Sequence, residues 1–144
     1  MCGAQGVLHA GALGSCVAVI VFDAGKKAGG MAHVMLPGRS PKRTGDNRYA
    51  ENAIEELLKK MAGPGTNAAG LKVCLVGGAD LLGEGDIHIL VRDSVVNYLK
   101  TLNIEARARR LGGSCARAAW LDVGSGEVFY KEQDNTPQKL AREA

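Results

Sequence analysis

A chain of 144 residues with 46% hydrophobic and 23% charged residues has the size and balance of one soluble globular domain. The formal net charge of +3 is too small to indicate a nucleic-acid-binding protein. Neither a run of the roughly 18 apolar residues that span a bilayer nor a signal peptide at residues 1–13 is found. The sequence therefore predicts a cytoplasmic protein with a single domain over residues 1–144.

Short apolar segments alternate with glycine-rich or polar turns, and two longer stretches show helical spacing. The predicted strands are residues 7–9, 16–22, 30–36, 71–76, 104–109, 116–123 and 127–131. Helices are predicted at 49–62 and at about 94–102, the second with Asp93 as its N-cap. Because hairpins outnumber strand–helix–strand units, this order of elements predicts an α+β fold.

Three polar or glycine-rich segments lie outside these elements. Residues 37–47 form a basic loop that is long enough to be a flap over a site, although an ordinary surface loop is the simpler interpretation. Residues 63–70 separate the first helix from the middle strand. The polar tail at 132–144 is predicted either to dock, as a helix, or to be disordered.

Cysteine and histidine are the residues through which this chain could carry out nucleophilic catalysis. A free thiol has a pKa near 8.5, about 1.5 units above neutrality, so it needs a neighbouring base or positive charge. If the turn between the strands at 16–22 and 30–36 is centred between Ala24 and Gly25, Cys16 lies directly opposite His33. A three-residue loop would shift this register and separate the two side chains.

The same residues also have simpler structural interpretations. Cysteine is among the most buried residue types, so Cys16 could belong to the core. His33 has apolar neighbours, where a core histidine is common. In the catalytic interpretation, the small residues Gly14 and Ser15 would let a substrate carbonyl approach backbone N–H groups that form an oxyanion hole.

The remaining cysteines and histidines give weaker signals. The four cysteines, at 2, 16, 74 and 115, show no spacing typical of a metal site. Cys74 lies inside an apolar strand and is predicted to be buried and inert, and Cys115 has no obvious base beside it. His88 lies in a stretch that alternates polar and apolar residues, which predicts a solvent-facing position on a strand.

Two segments resemble a known family. LGSCVAV at residues 13–19 closely resembles the cysteine segment of the CheD family, and GMAHVMLP at residues 30–37 resembles its histidine segment. The chain is identified on these motifs as a member of that family. Further similarity over roughly residues 12–131 occurs at 48–50, 76–79, 112–113 and Arg117.

This resemblance implies a chemoreceptor glutamine deamidase that uses no metal or organic cofactor. The implied fold is α+β, with mixed β-sheets in a sandwich-like core and flanking helices. Cys16 would attack the amide carbon and form a thioester, while His33 would take the thiol proton and pass it to the departing ammonia. The implied partners are the cytoplasmic domains of chemoreceptors and the chemotaxis phosphatase CheC.

The chain departs from the family pattern at Ala10. Family members place a threonine six residues before the cysteine, where it orients the histidine, and alanine has no hydroxyl group. A backbone carbonyl at Ala10 could take that role, or the rate could be lower. Two other functions therefore remain open: a binding module that docks CheC or receptors without turnover, and an amidase or esterase acting on another substrate, such as receptor methyl esters.

Overall fold

The computed structural model describes residues 2–3 by their backbone, and residues 6–62, 70–81, 83, 85–133 and 135–140. Most of the predicted break at 63–70 and residues 134 and 141–144 of the predicted tail therefore lie outside the described residues. The described elements are β1 (Cys2–Gly3), β2 (Val7–Leu13), β3 (Val17–Asp23), β4 (Ala28–Val34), α1 (Ala50–Ala62), β5 (Leu71–Gly77), α2 (Ile87–Thr101), β6 (Ala108–Leu111), β7 (Arg117–Asp122), β8 (Glu127–Glu132) and β9 (Gln138–Lys139).

The strands form two sheets. Five strands pair in the order β1-β4-β3-β5-β6 and four in the order β2-β7-β8-β9. Strand β6 runs parallel to β5, while the other pairs are antiparallel. The two sheets and two helices of the described residues confirm the predicted α+β fold with mixed sheets.

Strand β3 lies at the centre of the first sheet and is buried along its whole length. Ala18, Ile20 and Phe22 face the core between the two sheets, whereas the three valines that alternate with them face the helices. A continuous apolar run is needed here because both faces of the strand are covered. Strand β3 therefore begins, just after Cys16, between the core that separates the two sheets and the layer of helices.

Helix α2 is longer than the sequence predicts. It begins at Ile87 rather than near residue 94, and the prediction of Asp93 as N-cap is wrong because Asp93 lies inside the helix. The residue before the helix is Asp86, whose side chain makes no capping hydrogen bond. The buried stripe is Val91, Val95 and Leu99, and neither described helix is long and apolar enough to cross a membrane.

Two elements of the second half of the chain also differ from expectation. The strand predicted at 104–109 is β6, at Ala108–Leu111, because residue 104 packs against the helices before the chain turns into the sheet. In the polar tail, Gln138–Lys139 pair with β8 as a strand rather than forming a helix. The Leu140 N–H donates to the Val128 carbonyl at 2.7 Å. The part of the tail that is described thus completes the second sheet.

The basic loop is bound to both helices. The Gly38 N–H donates to Ser94 Oγ on α2 at 2.7 Å, and the Ser40 N–H donates to Asn52 Oδ1 on α1 at 2.7 Å. Arg39 forms an ion pair with Glu55, and this pair holds the pKa of that carboxyl at about 2. These bonds favour an ordinary surface loop over a flap, since opening it would break several contacts.

Candidate functional site

The β3–β4 hairpin has a different register from the predicted one. Asp23 pairs with Ala28, so Ala18 rather than Cys16 lies directly opposite His33. The turn is formed by the four residues 24–27, because Asp23 Oδ1 accepts hydrogen bonds from the N–H groups of residues 25 and 26, at 3.0 and 3.2 Å. The predicted pairing of Cys16 with His33 is therefore wrong by two positions.

A shift of two residues keeps side chains on the same face of a sheet. Cys16 packs against the core between the sheets, on the side of Ala18, and His33 lies on β4 opposite Ala18. The two side chains are therefore diagonal neighbours on one face, positions that are typically about 7–8 Å apart. No hydrogen bond joins Cys16 to His33 among the described residues.

Cys16 and His33 open onto different clefts. Cys16, together with Gly14 and Ser15, lines a cleft of about 380 Å³ that His88 also lines. His33 and Ala10 line a neighbouring cleft of about 400 Å³. Because the two side chains line different clefts, one of them would have to rotate before Cys16 and His33 could form a hydrogen bond. Hydrogen bonds between catalytic groups are often long without substrate and shorten in the complex.

A β-bulge in strand β2 divides its residues between the two clefts. Ala10 pairs with Ala119, but Leu13 pairs with Arg117, so one extra residue lies between them. Ala12 occupies this bulge with a φ of 53°, a left-handed conformation that costs a non-glycine residue roughly 1–2 kcal/mol. The bulge directs residues 9–11 to the His33 cleft and residues 12 and 14 to the Cys16 cleft.

The backbone at the end of β5 fixes the cysteine segment. The Gly78 N–H donates to the Cys16 carbonyl at 2.9 Å, and the Ala79 N–H donates to the Gly14 carbonyl at 2.8 Å. Gly77 has a φ of 124°, and a Cβ at this position would overlap the Cys16 carbonyl oxygen. The sequence Gly77-Gly78-Ala79 thus allows two chain segments to approach more closely than larger residues would permit.

Arg117 forms hydrogen bonds that hold the backbone at the end of β5. Its guanidinium is buried and donates to the Gly112 carbonyl at 2.6 Å and to the Gly77 carbonyl at 3.3 Å. It also donates to the Glu132 carboxylate at 3.0 and 3.2 Å. A buried cation needs such partners, and here they link the second sheet to the end of β5.

Both candidate catalytic groups are uncharged in this environment. Burial raises the pKa of the Cys16 thiol, although a hydrogen bond from the Ser15 side chain and its own backbone N–H both lower it. Burial also lowers the pKa of His33. A neutral imidazole can accept a proton, so the site favours a general-base mechanism over a preformed thiolate–imidazolium ion pair.

Replacing Ser15 with alanine is expected to slow the alkylation of Cys16 by iodoacetamide about three- to tenfold at about pH 8. The change removes a hydrogen bond that lowers the thiol pKa, so less thiolate is present at a given pH. Peptide-resolved mass spectrometry would follow Cys16 across a pH series, with Ser125→Ala in the β7–β8 turn as the control. An unchanged or faster reaction would show that Ser15 does not stabilise the thiolate.

The sequence did not reveal two features of the site. His88 lies in the first turn of α2 rather than on a solvent-facing strand, and it lines the Cys16 cleft. The predicted strand position is wrong, and the four-residue spacing of Val91, Val95 and Leu99 was the signal for a longer helix. Gly77 was noted in the sequence as the end of a strand and within the family similarity at 76–79, but its contact with Cys16 depends on tertiary pairing.

Three other cysteine and histidine residues lie outside the Cys16 cleft. Cys74 is 1% exposed within the core between the sheets, as predicted for an inert cysteine. His9 lies on the opposite face from buried Ala10 and stacks on Trp120, with ring centroids 5.0 Å apart. Its ring packs at the mouth of the His33 cleft, and Cys115 does not line the Cys16 cleft.

Fold and site together define a small α+β domain in which a cysteine at the end of the central strand shares a sheet face with a histidine on the adjacent strand. Comparison with known sequences agrees with this class. The family model described as CheD chemotactic sensory transduction matches residues 35–132. The chain belongs to the CheD family.

Individual relatives match most of the chain. The chain is 38% identical over 138 residues to the probable chemoreceptor glutamine deamidase CheD of Chlorobium luteolum, covering 93% of this chain and 69% of the relative. It is 32% identical over 129 residues to the chemoreceptor glutamine deamidase CheD of Thermotoga maritima, covering 88% and 82%. Similarity to the probable enzyme of Methanococcus maripaludis strain C5 is 36% over 125 residues, covering 83% and 81%.

Proposed function

We propose that this chain is a chemoreceptor glutamine deamidase, which hydrolyses glutamine side-chain amides to glutamate and ammonia in chemotaxis. The observation that carries this proposal is the position of Cys16, held by backbone hydrogen bonds in an open cleft of a CheD-family chain. The names of the relatives give the substrate class. The proposed substrate is a glutamine on the cytoplasmic domain of a chemoreceptor.

The proposed reaction has two halves. Cys16 Sγ attacks the amide carbon while His33 takes the thiol proton, and the C–N bond then breaks as His33 gives that proton to the leaving nitrogen. Water next attacks the thioester, His33 takes a proton from it, and the sulfur leaves and recovers the proton. The products are glutamate and ammonia, and the thiol is regenerated.

Attack on the amide places negative charge on its oxygen, and a hydrogen-bond donor near the Cys16 sulfur can stabilise this charge. The Cys16 N–H lies close enough to its own thiol to lower the thiol pKa, and the Gly14-Ser15 segment lines the same cleft. We assign the oxyanion site to this segment, where such donors are worth about 3 kcal/mol each in acyl-transfer enzymes. Ala10 lines the cleft of His33, so its carbonyl is the proposed group that orients the imidazole.

The test of this function is incubation of the chain with receptor cytoplasmic fragments from the same organism. We expect release of ammonia and a mass gain of about one dalton at particular glutamines, the result of amide hydrolysis. Peptide mapping would locate the modified glutamines, with receptor fragments incubated alone as the control. Receptor fragments that keep their glutamines at high enzyme concentration would contradict the proposal.

Replacing His33 with glutamine is expected to lower kcat for deamidation about 10²- to 10⁴-fold, the usual contribution of a general base. The matched control is His9→Gln, because His9 lines the same cleft but stacks on Trp120. Activity of the control should stay within about threefold of the original chain. A His33→Gln chain with unchanged kcat would exclude this residue as the base.

A second candidate function is a binding module that docks the phosphatase CheC or receptors without turnover. Two observations favour it: Ala10 has no hydroxyl to orient His33, and no hydrogen bond joins His33 to Cys16 in the described part of the chain. Receptor or CheC binding with no mass change on any receptor glutamine would select this function over the deamidase.

A further inference from the structure

The cleft that holds Cys16 has a second wall formed by the start of helix α2 and by residues 79–81. Leu81, Ile87 and His88 line this wall, facing the segment that carries Cys16. The cleft measures about 380 Å³, enough space for an extended side chain to enter. The histidine of this wall has no part in the mechanism proposed above.

Hydrogen bonds fix this wall relative to the thiol. The Asp80 N–H donates to the Gly113 carbonyl at 2.9 Å, and Asp80 Oδ1 accepts from the Gly83 N–H at 2.9 Å. Leu81 lies directly over the cysteine segment, because a Cβ at Gly14 would be 3.0 Å from Leu81 Cδ1. These contacts fix Asp80 and Leu81 relative to the cysteine segment.

The wall combines apolar side chains with one imidazole. Leu81 is 46% exposed and Ile87 is 40% exposed, which leaves apolar surface open beside a reactive thiol. Asp80 already uses its Oδ1 atom on the backbone, and Ser15 bonds to the Cys16 thiol. His88 is half-buried and its side chain makes no hydrogen bond with the other described residues, so its ring remains available to a ligand.

We propose that His88 holds the side-chain amide of the substrate glutamine, while Leu81 and Ile87 cover its methylene groups. A primary amide presents a carbonyl acceptor and an NH₂ donor, and one ring nitrogen of an imidazole can bond to one of these two groups. The methylene groups of glutamine gain free energy by packing against Leu81 and Ile87. This packing also excludes water from the amide carbon that reacts. This proposal rests on the proposed deamidase function and names the substrate-contacting residue of that site.

The test compares His88→Ala with His88→Asn in deamidation of receptor fragments. We expect His88→Ala to raise KM about tenfold or more, the effect of losing one hydrogen bond to a bound group, with a smaller change in kcat. His88→Asn still carries hydrogen-bond donors and an acceptor and should recover most of the loss. Asn97→Ala, on the same helix but outside both clefts, should leave KM unchanged.

A second measurement separates substrate contact from action on the thiol. The pH profile for alkylation of Cys16 by iodoacetamide, without receptor, should be the same in His88→Ala and in the original chain. An unchanged KM in His88→Ala, or a shifted alkylation profile, would overturn the proposal.

Protection of Cys16 by receptor fragments distinguishes failure of this proposal from failure of the proposed function. Receptor fragments should slow alkylation of Cys16, and His88→Ala should need about tenfold more fragment for the same protection. If receptor fragments protect Cys16 but are not deamidated, the proposed deamidase function is wrong. The ratio of the fragment concentrations that protect His88→Ala and the original chain would still decide the role of His88. A chain that shows neither protection nor deamidation would overturn both proposals.

Discussion

Replacing Cys16 with serine is expected to lower receptor deamidation at least about 10³-fold, because single nucleophile replacements in related mechanisms have effects of this size or larger. A serine hydroxyl is much harder to deprotonate than a thiol, and the neutral His33 is the base proposed to do so. The side chain is only half-buried, so the substitution should cost less than about 1 kcal/mol of stability. Mass spectrometry of receptor peptides would measure the remaining rate.

The matched control for this substitution is Cys115→Ser. Cys115 is also half-buried and free, but it does not line the Cys16 cleft. Cys74 is a poor control because it is 1% exposed in the core, where a new hydroxyl would lower stability. Full activity in Cys16→Ser with intact mass and fold would refute the cysteine mechanism, whatever the activity of the Cys115 variant.

Replacing Gly77 with alanine is expected to lower deamidation about 10²-fold or more and to destabilise the fold by roughly 2–4 kcal/mol. The backbone conformation with a φ of 124° disfavours any side chain, and the new Cβ would overlap the Cys16 carbonyl oxygen. Relief of this overlap must move Cys16 or break its hydrogen bond from Gly78. Displacing a nucleophile by about 1 Å can cost two orders of magnitude in rate.

Thermal unfolding followed by circular dichroism would measure the stability of Gly77→Ala, and deamidation would be assayed well below its Tm. The control is Gly38→Ala, which has a φ of 73° but no atom within 4 Å of the added Cβ. It carries the backbone strain without the overlap, so it should lose stability and keep activity. Equal activity in Gly77→Ala and the original chain would show that Gly77 does not position the cysteine.

The sequence was sufficient for the elements whose pattern is local. The strands predicted at 116–123 and 127–131 are confirmed, and they pair as a hairpin with Asp122 opposite Glu127 because a Gly-Ser-Gly turn separates two alternating segments. Helix α1 at Ala50–Ala62 and the burial of Cys74 are also confirmed. In each case the apolar spacing and the flanking turn residues indicate the same structure.

Features that depend on tertiary contacts could not be predicted from the sequence. The register of β3 and β4 depends on hydrogen bonds from the Asp23 side chain, which move the turn by one residue along the chain. The first turns of α2 lack an N-cap hydrogen bond, so no local signal marks the start of the helix near His88. The roles of Cys16 and His33 stay predictions that the variants above would decide.

The contacts of the cysteine segment have a consequence for the order of folding. Cys16 is fixed by Gly78, more than sixty residues away in sequence. The Gly77 carbonyl accepts from Arg117, which also donates to Glu132. Contacts between such distant residues form late, since closing long loops costs entropy before the contacts are gained. A partly folded chain would therefore expose a thiol that behaves like free cysteine, and the reactivity of Cys16 would report completion of folding.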